Sequence, residues 1–216
     1  MKKRTNISQL RFKYKKKPLD ITNSDSNPFK QFNKWMKESI RNKIFEPTAM
    51  SLSTVNKRNK VSNRIVLLKG VKNNSFVFYT NLKSRKSYEL NINKNVAAVF
   101  WWPQIGKQVR IEGYVKIVKK KVADNYFSTR SRNSQIGAWA SNQSSILKDR
   151  KTLIKRYKKI EKRFENKNIT RPNFWSGYEI KPFLFEFWQV RENRLHDRMV
   201  YKRINQKKWK KYRLNP

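Results

Sequence analysis

The sequence predicts a mainly β fold, an antiparallel barrel with helical additions, and three observations lead to this fold class. Short apolar segments of strand length recur along the 216 residues, and turn-forming residues separate them. Only a few stretches repeat apolar residues at helical spacing. No Ser/Gly-rich linker divides the chain. We therefore expect a flexible basic arm over residues 1–20 and a single domain over residues 21–216.

The helix and strand signals follow one another along this predicted domain. Asn27 and Pro28 are typical of an N-cap and a first helical residue. The apolar run over residues 64–69 predicts a strand buried on both faces. Residues 70–74 have turn chemistry and predict a hairpin with a returning strand over residues 75–80. Further strands are predicted over 96–102, 109–118 and 183–188, and an amphipathic helix over 153–164.

Composition excludes several classes of site. The chain has no Cys, which rules out a disulfide framework and thiolate metal ligands and is compatible with the cytosol. A single histidine, His196, argues against zinc and haem, so we predict no metal site. No apolar run approaches the roughly 20 residues that span a bilayer. We expect a soluble, cytoplasmic protein without a membrane partner.

The charge has two possible explanations. Lys and Arg number 53 against 14 Asp and Glu, for a net charge of +39. One hypothesis is a nucleic-acid-binding barrel, since a basic face binds phosphate backbones and aromatic rings can stack on bases. The other is that an AT-rich coding sequence, which favours Lys, Asn and Ile, has spread lysine over the whole surface. We favour the second, and expect nucleic acid to bind only nonspecifically, at low salt.

Phosphate chemistry in this chain must depend on side chains. The five glycines cannot form a glycine-rich phosphate loop, and no G-x-S-x-G motif is present. Ser84 precedes Arg85 and Lys86 at a predicted helix start, where free N–H groups and the helix dipole favour an anion. Arg64 and Lys69 end the predicted buried strand and are further candidates. Alternatively, all four cations belong to an ordinary basic surface.

The segment Arg194-Leu195-His196-Asp197-Arg198 has the most distinctive pattern. On a strand, alternate side chains share a face, so Arg194, His196 and Arg198 are expected to line up together. Cations on one face repel each other unless an anion or an electron-rich ring compensates. The segment therefore indicates an active site, or else a solvated edge strand with an incidental histidine. Trp188 lies close by in sequence, on the opposite side from the predicted Phe core face.

Taken together, these segments resemble the pyridoxamine 5′-phosphate oxidase family, nearly throughout the chain after the arm. The blocks that carry the resemblance are Pro47-Thr48-Ala49-Met50, Arg64-Ile65-Val66-Leu67-Leu68-Lys69, Phe78-Tyr79-Thr80-Asn81, Ser84-Arg85-Lys86, Ser134-Gln135-Ile136-Gly137-Ala138-Trp139, Gln143-Ser144-Ser145, Glu186-Phe187-Trp188-Gln189, Arg194-Leu195-His196-Asp197-Arg198 and Arg213-Leu214-Asn215-Pro216. One departure is Val190-Arg191, where many relatives carry glycines.

The resemblance implies a fold, a cofactor and a site. The implied fold is an FMN-binding split β-barrel that forms a homodimer. The FMN contacts it implies are Arg64, Ile65, Val66, Leu67, Leu68, Lys69, Tyr79, Thr80, Arg85, Lys86, Gln108, Gln143, Ser144, Trp188 and Arg198. The substrate contacts it implies are Lys69, Tyr126, Arg130, Ser134, Arg194, Leu195 and His196, with Arg11 and Tyr14 of the arm closing over the site.

The implied reaction oxidises pyridoxamine 5′-phosphate or pyridoxine 5′-phosphate to pyridoxal 5′-phosphate. A hydride passes from the 4′ carbon of the substrate to the flavin, and oxygen reoxidises the flavin and forms hydrogen peroxide. Arg194 and His196 are expected to be the catalytic residues, through orientation and charge balance and not as an obligatory base. Another split-barrel flavoprotein, such as a flavin reductase, is a further alternative.

Overall fold

The structure is a computed structural model that describes residues 18–206 and 208–216. The described chain contains five α-helices and nine strands. The helices are α1 (Pro28–Arg41), α2 (Arg85–Ile92), α3 (Lys120–Ser128), α4 (Arg132–Ala140) and α5 (Arg150–Arg163). The strands are β1 (Ala49–Val55), β2 (Val61–Leu67), β3 (Gly70–Lys72), β4 (Ser75–Asn81), β5 (Asn95–Trp102), β6 (Lys107–Ile117), β7 (Trp175–Gln189), β8 (Asp197–Arg203) and β9 (Trp209–Arg213).

Local sequence signals place several of these boundaries. The Asn27 side chain accepts a hydrogen bond from the Phe29 N–H and caps α1, with Pro28 as its first residue. Between β3 and β4, Asn73 and Asn74 both adopt positive φ, of 49° and 54°. Two such residues in a two-residue turn give the backbone twist that a tight antiparallel hairpin needs. The predicted helix start and the predicted hairpin are both confirmed.

The described chain divides into two compact units. One unit contains residues up to Pro47 together with Trp101–Arg110 and Phe185–Pro216. The other contains Thr48–Phe100 and Ile111–Leu184. We call them the first and the second unit. The prediction of one domain over residues 21–216 with an arm over residues 1–20 stays a prediction.

The second unit contains most of the sheet. The strand order is β2-β1-β5-β6-β7-β4-β3, and the registered pairs β1–β2, β1–β5, β3–β4 and β4–β7 are antiparallel. The side chains of these strands that face the core are fully buried, for example Leu52, Phe76, Phe78 and Ile180. Burying one such side chain contributes about 1.5–3 kcal/mol relative to leaving it in water. The predicted mainly antiparallel β architecture is confirmed.

The first unit has an aromatic core between α1 and the ends of the long strands. Phe29 of α1 meets Phe185 edge to face at 5.0 Å, and Trp35 meets Phe187 in the same way at 5.1 Å. Tyr201 of β8 is buried against Phe187, and its hydroxyl donates to the Asp25 carbonyl oxygen. Edge-to-face packing is the arrangement that ring quadrupoles favour, so it fixes α1 against β7 and β8 in this unit.

Two sequence predictions about strands are wrong. Strand β2 is not buried on both faces, since Ile65 is 63% exposed and Val61 is 66% exposed. In the described chain β2 lies at the end of the strand order, and its residues are exposed or partly exposed along its whole length. Its apolar run therefore marks a surface that is open in the single chain.

The segment from Arg194 to Arg198 is not a strand either. Asn193 and Arg194 have φ of 54° and 60°, a conformation that no strand contains, and they lie in a short helical turn over Glu192–Arg194. Strand β8 begins only at Asp197. Arg194, His196 and Arg198 consequently do not share one strand face. The turn comes directly after Val190-Arg191.

None of the helices in residues 18–206 and 208–216 is long and apolar enough to cross a bilayer. Arg11 and Tyr14, predicted to close over the site, lie outside the described residues.

Candidate active site

A cleft of about 810 Å³ opens in the second unit. Its walls come from β2, β4, the start of α2, the helices α3 and α4, and the first residue of β7. Most of the predicted cofactor and substrate residues of this unit line it: Arg64, Ile65, Val66, Leu67, Lys69, Tyr79, Thr80, Arg85, Lys86, Tyr126, Arg130, Ser134, Gln143 and Ser144. The fold therefore brings residues that are up to 80 positions apart in sequence into one cavity.

One end of the cleft holds a buried ammonium group that has no acidic partner within residues 18–206 and 208–216. Lys86 is 7% exposed, and its Nζ donates to Thr80 Oγ1 at 2.9 Å, Ser84 Oγ at 3.2 Å and Gln143 Oε1 at 3.3 Å. Burial, with a smaller effect of the charge of Arg64, lowers the pKa of Lys86 to about 8. Neutral oxygens solvate the ammonium without neutralising it, so this end of the cleft is prepared for an anion.

The two arginines nearest this lysine in sequence are held by one buried carboxylate. Glu89 Oε1 accepts from Arg85 Nε at 2.9 Å, and Oε2 accepts from Arg64 Nη2 at 3.3 Å. Oε2 also accepts from Ser62 Oγ at 2.6 Å and from the Thr54 hydroxyl. Burial alone would raise the pKa of Glu89, but these hydrogen bonds and the Arg64 charge outweigh it and bring the pKa to about 2.

The opposite wall of the cleft is a stack of aromatic rings. Tyr79 of β4 and Tyr126 of α3 lie parallel at 3.9 Å, and Tyr79 is parallel to Trp175 at 5.3 Å. Gly177 makes this possible, because a Cβ there would lie 2.7 Å from Tyr79 Cδ1. The Arg130 guanidinium lies over Trp175, 4.8 Å from the ring centroid. Burial lowers the pKa of Arg130 from its ordinary value, and the nearby Tyr126 hydroxyl opposes this shift.

Three more predicted residues of this unit have simpler surroundings. Ser134 lies in the first turn of α4, and its hydroxyl accepts from Ser131 Oγ at 2.8 Å. The exposed Lys69 donates its backbone N–H to the Val77 carbonyl oxygen, at the junction of β2 and β3. Leu68 is buried and does not line the cleft, and its N–H donates to Thr48 O.

The remaining predicted residues lie in the first unit. His196 Nδ1 accepts the backbone N–H of Arg191 at 3.1 Å, so a neutral imidazole there carries its proton on Nε2. Burial and the nearby Arg194 charge lower the pKa of His196, which favours this neutral form. The Trp188 ring lies 4.5 Å from the imidazole. Leu195, between the two candidate catalytic residues, is 66% exposed.

Arg198 is fixed by a second buried carboxylate. Glu186 is 3% exposed, and its Oε1 accepts from Arg198 Nε at 2.7 Å. Its Oε2 accepts from Arg110 Nη2 at 2.6 Å. Burial opposes ionisation of Glu186, but the two arginines outweigh it and lower the pKa. The predicted residue Gln108 lies half-buried in β6 of the same unit.

Sequence reasoning missed Glu89 and Trp175. Glu89 follows Arg85 by four residues on a predicted helix, and this spacing of opposite charges is the signal that could have identified it. Trp175 carries no such signal, because nothing in the sequence near residue 175 shows that its ring meets Tyr79 and Arg130. Both were outside the predicted site, although each contacts residues within it.

We predict that Glu89→Gln destabilises the protein near neutral pH, by about 1–3 kcal/mol, because it leaves buried donors facing a neutral amide. A carboxyl whose pKa falls on folding stabilises the folded state above its unfolded pKa, and this contribution is lost as pH falls through the folded pKa. The wild type should therefore lose Glu89 stabilisation between pH 4.5 and about 2, and the variant should lack that loss. Urea unfolding across this range measures it. The exposed Glu165→Gln is the control, and parallel pH profiles for wild type and Glu89→Gln would contradict the prediction.

Two protein-family models match this chain. Residues 36–164 match the family model described as pyridoxamine 5′-phosphate oxidase. Residues 175–216 match the model of the pyridoxine 5′-phosphate oxidase C-terminal dimerisation region.

Curated relatives are similar along nearly their full length. A pyridoxine/pyridoxamine 5′-phosphate oxidase of Leptospira interrogans is 46% identical over 210 residues, which are 97% of this chain and 98% of the relative. A protein of the same name from Rubrobacter xylanophilus is 43% identical over 213 residues, 99% of this chain and 98% of the relative.

Solved structures show the same fold. PhzG from Burkholderia lata 383, solved with tetrahydrophenazine-1-carboxylic acid, has a TM-score of 0.85 and 26% identity over 90% of this chain and 95% of its own. A pyridoxamine 5′-phosphate oxidase-related, FMN-binding protein of Nostoc punctiforme has a TM-score of 0.70 at 15% identity, over 88% of this chain and 98% of its own. The latter likeness shows the fold alone. The predicted split-barrel fold class is confirmed.

A family model that matches more than half of the chain, together with relatives above 40% identity along nearly all of it, shows that this chain belongs to the pyridoxamine 5′-phosphate oxidase family.

Proposed function

We propose that this chain is a flavin-dependent oxidase that converts pyridoxine 5′-phosphate or pyridoxamine 5′-phosphate to pyridoxal 5′-phosphate. One structural observation carries the proposal. Two cations on different elements of the cleft, Lys86 of α2 and Arg130 after α3, have no acidic partner among the described residues. A cofactor phosphate and a substrate phosphate would supply the two missing anions, and family membership supplies the chemistry.

The cofactor that fits the cleft is FMN. The buried Lys86 ammonium lacks a counter-charge, and Arg85 beside it uses Nε for Glu89 and is otherwise exposed to the cleft. These two residues would hold the phosphate, with Thr80, Gln143 and Ser144 as neutral partners. The strand residues from Arg64 to Lys69, with Tyr79, would hold the remainder, as would Gln108, Trp188 and Arg198. When bound, a flavin accepts a hydride from the substrate and transfers electrons to oxygen.

The substrate phosphate is assigned to Arg130, with Ser134, Tyr126 and Lys69. Arg130 offers a planar fork of donors, Ser134 a hydroxyl and Lys69 a mobile charge, and all four residues line the cleft. Arg194, Leu195 and His196 are assigned to the ring side of the substrate. A neutral His196 with its proton on Nε2 is a hydrogen-bond donor there, and Arg194 supplies positive charge. Arg11 and Tyr14 remain part of the proposed site through the resemblance alone.

A homodimer is proposed as the working form. The match of residues 175–216 to a dimerisation region supports it. The exposed apolar side chains of β2, Val61 and Ile65, also support it, since a second copy of the chain would remove them from water. We further propose a cytoplasmic location and only nonspecific contact with nucleic acid, in line with a charge that is spread over the chain.

The decisive experiment is the absorbance spectrum of the purified protein. We expect a yellow protein whose flavin band bleaches when pyridoxine 5′-phosphate is added without oxygen, and whose oxygen uptake requires either phosphorylated substrate. A colourless protein that gains no activity with added FMN would refute the proposal. Bleaching by a reduced nicotinamide but not by the phosphorylated substrates would instead indicate a flavin reductase. Salt-resistant nucleic-acid binding without flavin would indicate the basic binding module.

The affinity for FMN should fall as the pH rises. An anion binds the protonated form of Lys86, whose pKa in the free protein is about 8, so the dissociation constant should rise roughly tenfold between pH 7 and pH 9. Fluorescence titration of the apoprotein with FMN measures this change. Lys86→Arg should flatten the profile, and riboflavin, which has no phosphate, should show none of it. The exposed Lys83→Gln serves as control, and a profile that Lys86→Arg leaves unchanged would remove Lys86 from the phosphate site.

Arg194 and His196 should affect turnover more than cofactor retention. We expect Arg194→Ala and His196→Ala to lower kcat/KM on the order of 100-fold, because a misplaced substrate loses its reactive geometry. The dissociation constant for FMN should stay nearly unchanged in both variants. Lys202→Ala, an exposed cation of β8, is the matched control. Equal losses of turnover and of FMN affinity would refute the division of roles.

A further inference from the structure

Trp175 has surroundings unlike those of an ordinary core residue. It is 6% exposed and is the first residue of β7, yet it forms part of the cleft wall. Its ring is parallel to Tyr79 at 5.3 Å and to Tyr126 at 6.2 Å, with Phe127 edge-on at 5.1 Å. A residue that is not aromatic also contacts the Trp175 ring.

That residue is Arg130, whose guanidinium lies 4.8 Å from the Trp175 ring centroid and 5.6 Å from that of Phe127. The Arg130 backbone N–H donates to the Phe127 carbonyl oxygen at 3.2 Å, but within the described residues its side chain forms no hydrogen bond, and Nη1 is buried without a partner. The other two side-chain nitrogens, Nε and Nη2, are not both buried and unpaired as Nη1 is. An indole face is the aromatic surface that attracts a guanidinium most strongly, and it offsets part of the cost of removing Nη1 from water.

The Trp175 backbone is itself immobilised. Its N–H donates to the Pro172 carbonyl oxygen at 2.9 Å, and its carbonyl oxygen accepts from Arg171 Nη1 at 2.5 Å. The Arg171 side chain is 8% exposed and forms an ion pair with Asp124 of α3, Nε to Oδ1, at 2.6 Å. The helix that carries Tyr126 and leads to Arg130 is thus tied to the residue on which Arg130 stacks. This connection adds a polar link to the apolar packing between that helix and Trp175.

We propose that Trp175 is a positioning residue for the substrate phosphate, whose indole holds the Arg130 guanidinium so that Nε and Nη2 face the cleft. The inference rests on the proposed function, since it takes the substrate phosphate as the anion that Arg130 binds. A side chain as flexible as arginine loses much rotational freedom when it binds. With Arg130 already held on the ring, that loss occurs on folding and not on substrate binding. The effect of Trp175 is therefore on affinity for the phosphorylated substrate.

The test measures kcat and KM of the holoenzyme for pyridoxine 5′-phosphate, together with the inhibition constant of inorganic phosphate. Trp175→Leu should raise KM and the phosphate inhibition constant about tenfold each, the range expected for a desolvated cation–π contact. The value of kcat and the FMN content should stay within about twofold, since the reacting atoms are elsewhere. Trp175→Phe keeps an aromatic face and should restore most of the affinity. Arg130→Ala should raise KM further, and adding Trp175→Leu to it should change nothing more.

A matched control is Trp139→Leu. Trp139 packs against the apolar cluster that contains Phe127, Phe164 and Trp175. It lies 5.2 Å from the Arg163 guanidinium, but it does not line the cleft. This variant should lose a similar amount of stability and keep the KM of the wild type. Equal effects of Trp139→Leu and Trp175→Leu on KM, or additive effects of Arg130→Ala and Trp175→Leu, would overturn the inference. If Arg130→Ala raises KM and Trp175→Leu does not, the inference fails alone. If neither changes KM, the assignment of Arg130 to the substrate fails with it.

Discussion

A buried carboxylate between two arginines is the interaction on which the geometry of the site residues depends, and each unit contains one. Glu89 holds Arg64 and Arg85, and Glu186 holds Arg110 and Arg198. Two guanidinium groups so close would repel each other without the shared anion. Burial opposes ionisation of both carboxyls, but their donors outweigh it and keep the pKa low in each case. The charge on the carboxylate thereby determines where the cations of the site can lie.

The same principle extends to the other scarce acids. Only 14 Asp and Glu accompany 53 Lys and Arg, so carboxylates are scarce in this chain. Asp197 instead accepts from Arg213 and from the Leu19 N–H, and it fixes the start of β8 against β9. Asp124 holds the buried Arg171. The few carboxylates near the cleft and β8 thus hold arginines in defined positions.

Against this background, the cations that lack a carboxylate become informative. Lys86 has only neutral oxygens around its ammonium group, and Arg130 has an aromatic face in place of an anion. Both arrangements keep a positive charge in a partly dry cavity, which is unfavourable until an anion arrives. Under the proposed function, Lys86 would bind the cofactor phosphate and Arg130 the substrate phosphate. The surroundings of the two cations differ because polar oxygens solvate a compact ammonium well, whereas an indole ring stacks well on a flat guanidinium.

Sequence alone determined the fold class, the capped start of α1, the hairpin after Gly70 and most of the residues that line the cleft. These follow from patterns within short segments, or from blocks that resemble one family in order. Tertiary structure decided the rest. The Arg194–Arg198 segment alternates like a strand, yet two residues with positive φ turn it, because backbone torsions depend on the surrounding loop. Ile65 is apolar but exposed, because the covering of a strand face depends on packing partners that are distant in sequence. Glu89 and Trp175 acquire their roles only through partners distant in sequence, and no local pattern records such a contact.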